Sequence, residues 1–80
     1  MKCTVQNMMQ REEDLILFSG GSVSAMLTLP AGGTTTVEFR PQDMLAYTGR
    51  RLKLQASHDG QTVKWPTDFT DCARSSRRTI

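Results

Sequence analysis

Histidine occurs once in this 80-residue chain and cysteine only twice, so a single copy cannot assemble a four-ligand Cys/His zinc site. No apolar run approaches the roughly 20 residues of a membrane-spanning helix. The opening MKCTVQNMMQREED also lacks the apolar segment of a secretory leader. Both absences point to a cytoplasmic protein that does not enter membranes, and its small size suits a bacterial or phage-encoded product. The glycine pairs in SGGS and AGGT lack the spacing and the lysine of a phosphate-binding loop, so they read as bends. His58 has Ser57 and Asp59 beside it, but catalytic triads converge from separate elements, so His58 reads as turn decoration. No catalytic, cofactor or metal site is expected, and the chain is read as a non-enzyme.

One domain is expected at this length. A chain this small buries about 60% of its unfolded surface, and its core yields only a few kcal/mol beyond entropy. Dimerisation or partner binding therefore bears on its stability. Cys3 and Cys72 lie near opposite ends. A disulfide between them would close a large loop, whereas a reducing compartment favours two thiols. The formal charge of +2 is unevenly spread. Residues 73–80, ARSSRRTI, hold Arg74, Arg77 and Arg78 and no acid; residues 1–72 carry seven basic and eight acidic side chains. The expected organisation is a globular domain over 1–72 and a flexible basic tail over 73–80, with a body too close to neutral for overall pI to imply nucleic acid binding.

Alternation dominates the remainder. KCTVQNM reads as a strand with Cys3 and Val5 on one side; a helix through VQNMMQREEDLILF is the alternative. DLILFS fits a short strand buried on both faces. SVSAMLTLP places Val23, Ala25, Leu27 and Leu29 at period two. TTTVEFR sets Thr35, Val37 and Phe39 against Thr36, Glu38 and Arg40. Pairing these last two strands in a hairpin with matched apolar faces requires a loop of odd length, with Leu27 facing Val37 or Phe39. PQDMLAYTG has Pro41 and Gly49 where a short helix starts and stops, which predicts one or two helical turns near 41–48. In RRLKLQASHDGQTVKW, Asp59-Gly60 suits a tight type I′ turn. Centred there, a hairpin gathers Leu52, Leu54, Ala56, Val63 and Trp65 on its buried side and Arg51, Lys53, Gln55 and Lys64 on the other. Pro66 ends the second strand. The expected fold is mainly β, with α+β as the alternative: a five- to six-stranded antiparallel barrel or twisted sheet with one short helical turn.

Two surfaces could carry function. The basic strand face of Arg51, Lys53 and Lys64, with Arg40, Arg50 and Tyr47 nearby, could seek phosphate or carboxylate groups. Charged exposed strands also simply discourage aggregation. The acids Glu12, Glu13 and Asp14 read as a solvated loop, and secondarily as an acidic contact patch. Trp65 belongs with the core.

GGSVSAMLTLPA, PQDMLAYTGRRLKL and DGQTVKWP resemble the swapped-hairpin AbrB-type DNA-binding antitoxins and regulators, which implies a dimeric barrel on DNA; TTTVEFR interrupts that pattern. AMLTL, the later strand and GQTVKW are similar to Sm-like Rho-binding antiterminators. The shared identities are few and generic to β-structure, so no residue roles are carried across. The expected function is a non-catalytic regulator or inhibitor, phage- or mobile-element-encoded, that binds a host protein or macromolecular complex. A small nucleic-acid-binding barrel is the alternative, and homodimerisation through an edge strand is open.

Overall fold

The computed structural model describes residues 1–70. It is mainly β, with seven strands: β1 (Lys2–Asn7), β2 (Glu13–Ser19), β3 (Ser22–Leu29), β4 (Thr34–Glu38), β5 (Met44–Tyr47), β6 (Arg50–Lys53) and β7 (Thr62–Trp65). They form a three-stranded sheet, β4-β1-β7, and a four-stranded sheet, β3-β2-β5-β6. One core lies between the sheets. Cys3, Val5, Val37, Val63 and Trp65 of the first sheet meet Leu15, Leu17, Leu29, Leu45 and Leu52 of the second, joined by Phe39 and Leu54.

The expected β class stands, but several connections differ. β6 and β7 do not form a hairpin. β6 pairs antiparallel with β5, and β7 pairs parallel with β1, placing Val63 beside Val5 and Trp65 beside Asn7. The Asp59-Gly60 turn has Asp59 at φ −60°, ψ 124° and Gly60 at φ +74°, closed by the Gln61 N–H donating to the His58 carbonyl at 3.0 Å. That is type II geometry, whose twist splays hairpin strands. A single 3₁₀ turn, Ala56–His58, precedes it. β1 then captures the chain: Gly60 N–H donates to the Lys2 carbonyl, Thr4 N–H donates to the Gln61 carbonyl at 2.9 Å, and Lys2 N–H donates to Asp59 Oδ1 at 3.0 Å. The inward set of the expected hairpin holds for Leu52, Leu54, Val63 and Trp65, while Ala56 is exposed in the 3₁₀ turn.

The helical turn expected near 41–48 is instead a turn at Pro41-Gln42 followed by β5. A two-residue turn, Thr48-Gly49, with φ of +48° and +80°, joins β5 to β6 and pairs Tyr47 with Arg50. The type I′ geometry expected at Asp59-Gly60 is found here.

β3 and β4 do not pair either. β3 lies on β2 and β4 on β1, because the chain changes sheets between them. Asn7, only 1% exposed, holds this crossing. Its Nδ2 donates to the carbonyls of Arg11 (2.8 Å), Leu29 (3.1 Å) and Pro30 (3.2 Å), and its Oδ1 accepts from the Met9 N–H at 2.9 Å. The Asn7 N–H donates to the Gly33 carbonyl at 2.8 Å. No ladder joins β3 to β4 or β6 to β7 among the described residues, so the sheets face each other without closing into a barrel. The expected tail over 73–80 and Cys72 lie outside the described residues; Cys3 is buried.

Candidate functional site: the outer face of the four-stranded sheet

The two sheets present opposite kinds of outer surface. Strand alternation and register place Lys2, Thr4, Gln6, Thr34, Thr36, Glu38, Thr62 and Lys64 on the outside of the three-stranded sheet, all polar. On the outside of the four-stranded sheet, the ladder aligns Met26, Ile16, Ala46 and Arg51 in one row. Val23, Phe18, Met44 and Lys53 make the next row. Met26 is 70% and Val23 61% exposed; Ile16, Phe18, Met44 and Ala46 are half-buried and stand outside the core. Antiparallel sheets that meet water on one face usually alternate apolar with polar residues. β2 and β5 depart from that rule, so a contiguous apolar surface remains, bordered by two cations along β6. Arg51 lies over the Phe18 ring, 4.9 Å from its centroid, which tethers the rim to the surface.

Sequence reading missed this surface for two reasons. Leu15–Phe18 was expected to be buried on both sides; Leu15 and Leu17 are, but Ile16 and Phe18 face outward. Simple alternation groups Val23 with Ala25, Leu27 and Leu29. A β-bulge between Leu17 and Phe18 shifts the register, so Leu17 pairs with Ala25 but Phe18 pairs with Val23. The extra residue turns Val23 to the outer face. The unbroken apolar run LILF was the available signal.

The basic residues expected on one face are dispersed. Arg51 and Lys53 line the apolar surface, whereas Lys64 stands on the polar outer face of the other sheet. Arg40 lies in a cleft of about 250 Å³ with Ser19, Glu38 and Asp43. It donates to Ser19 Oγ from its guanidinium and to Asp43 Oδ2 from its backbone N–H at 2.9 Å. Arg50 borders a smaller cleft of about 110 Å³ with Leu52, Trp65, Pro66 and Phe69. Tyr47 points inward, edge-on to Trp65 with ring centroids 5.1 Å apart, and is half-buried. Trp65 is in the core, as expected.

The three acids also part company. Glu12 and Asp14 are exposed, whereas Glu13 begins β2 and points inward with 6% exposure. Arg11 Nε donates to Glu13 Oε1 at 3.0 Å. That bond holds the Glu13 carboxyl below the usual carboxylate range; burial opposes it, and Tyr47 adds a smaller pull in the same direction as Arg11. Burial, assisted by the Asp59 charge, pushes the Cys3 thiol up.

His58 has a structural setting: its Nδ1 accepts from the Gln55 N–H at 3.4 Å and its ring tilts against Phe69. Among the described residues, no three metal-ligating side chains converge and no helix is long and apolar enough to cross a membrane. No family model, curated protein or solved structure matches the chain.

Proposed function

We propose that the protein is a non-catalytic interaction module whose contact surface for another protein is the outer face of the four-stranded sheet. The contrast between the two outer faces carries this reading: one is wholly polar, and the other displays Ile16, Phe18, Val23, Met26, Met44 and Ala46. Exposed contiguous apolar surface rimmed by charge characterises protein contact sites, because its burial supplies affinity while the rim selects the partner. Arg51 and Lys53 favour a partner with acidic side chains at the matching border. A regulator or inhibitor that occupies a surface of a larger protein or complex fits these features. The nucleic-acid alternative has less support, since Arg40, Arg50, Arg51, Lys53 and Lys64 are spread over separate surfaces.

The test uses the full chain as bait in nuclease-treated lysate, beside Ala46→Glu and Lys64→Glu variants. A protein partner retained after nuclease, lost with Ala46→Glu and kept with Lys64→Glu, is the expected result. A carboxylate in the middle of the buried contact should cost about 2 kcal/mol or more, roughly a thirtyfold loss of affinity. Salt-sensitive binding of labelled RNA or DNA that depends on Lys64 would instead establish the alternative.

A further inference from the structure

We propose that β3 is a self-association edge: two copies join through antiparallel pairing of their β3 strands, merging the two four-stranded sheets. Among the described residues four strands border the sheets, and three carry charges that discourage pairing. β4 carries Glu38. β6 carries Arg50, Arg51 and Lys53. β7 carries Lys64. β3 is the longest strand, SVSAMLTL, with neither a charge nor a proline, and among the described residues no strand pairs with its outer side. Charged side chains are a usual protection of a sheet edge, and β3 alone lacks them, although Pro30 ends it.

Several features select a second copy as the occupant. Antiparallel self-pairing sets each strand against its own sequence, so any charge would meet a nearby like charge; β3 has none to repel. The Thr28 carbonyl points away from β2 to reach Thr35, and backbone groups in a ladder alternate sides, so those of Met26 point to the same open edge. A twofold centred on Met26 then pairs Met26 with its counterpart and Ala25 with Leu27 of the other copy. Ala25 and Leu27 face the core yet remain half-buried, and this register covers both. The β-bulge limits the pairing at one end and the Thr28–Thr35 bond at the other, so the contact is short and its dimer concentration-dependent. A twofold perpendicular to the sheets keeps both apolar outer faces on the same side, doubling the proposed contact surface. The pairing itself needs no foreign partner.

Sedimentation equilibrium of the full chain from about 10 µM to about 1 mM follows the association by mass action. The apparent mass should rise from 8.9 kDa toward twice that value. In a Cys72→Ser background, Met26→Cys should cross-link to itself under mild oxidation while Lys53→Cys on the opposite edge should not. Met26→Lys, at an exposed position, should keep the Trp65 fluorescence of the folded chain and remain monomeric. Ala46→Glu, which removes the foreign contact, should still dimerise, so the two proposals fail separately. A monomer across the whole range, a dimer that survives Met26→Lys, or cross-linking from Lys53→Cys as efficient as from Met26→Cys would each overturn the β3 assignment.

Discussion

Replacing Asn7 with alanine should destabilise the protein out of proportion to the few atoms removed. Asn7 sits where the chain leaves the four-stranded sheet after β3 and enters the three-stranded sheet at β4. Its two Nδ2 hydrogens serve three carbonyls, those of Arg11, Leu29 and Pro30, and its Oδ1 receives the Met9 N–H. Two donors and one acceptor give three hydrogen-bonding positions, each with a net value of about 1 kcal/mol. The expected loss is therefore about 3 kcal/mol, rising where a stranded backbone group cannot reach water. A chain of this length has a total stability of about 4–12 kcal/mol. Urea unfolding followed by Trp65, the only tryptophan, measures the change. With a slope of about 1 kcal/mol per molar, the midpoint should fall by about 2–3 M. Asn7→Asp adds a signature that simple cavity formation lacks. Its carboxylate would face carbonyl oxygens, so its folded-state pKa would be raised and the defect should be larger at pH 8 than at pH 5. A loss below about 0.5 kcal/mol for Asn7→Ala, the range of an ordinary surface substitution, would refute the sheet-crossing role.

Other consequences are open to direct measurement. Cys3 in the Cys72→Ser background should resist iodoacetamide at neutral pH and react fully in urea, because its buried thiol is pushed toward the protonated form; mass spectrometry reads both states. The Glu13 carboxyl is held low in the fold, so its contribution to stability is complete above the ordinary glutamate value of 4.5 and fades as pH falls through the lowered one. Glu13→Gln should accordingly flatten the acid side of the stability profile measured by urea titration. Thr48 adopts φ +48° despite its β-branched side chain, so Thr48→Asn should raise stability by about 0.5–1 kcal/mol; a lower urea midpoint would contradict the type I′ assignment of that turn.

Inward-facing residues were more legible in the sequence than strand partners. Period-two patterning identified Leu52, Leu54, Val63 and Trp65 as inward, and they are buried although β6 and β7 belong to different sheets. Alternation reports the side of a strand that meets the core; it does not report which neighbour completes the ladder. The partner of β7 is set by hydrogen bonds between the Asp59–Gln61 turn and β1, more than fifty residues away in sequence. The basic face dissolves for the same reason, since grouping Lys64 with Arg51 and Lys53 requires the hairpin. Asn7 carried no local signal because all its side-chain partners are backbone groups, two of them more than twenty residues distant. The apolar outer face was present in LILF but hidden by the assumption that an unbroken apolar strand has both sides covered.

The proposed contact surface is tested most directly by placing a photoreactive residue in turn at positions 44, 46 and 64 and irradiating the full chain in nuclease-treated cell extract. The account predicts one and the same protein cross-linked from positions 44 and 46 and not from 64. Adducts formed from position 64 alone would contradict it.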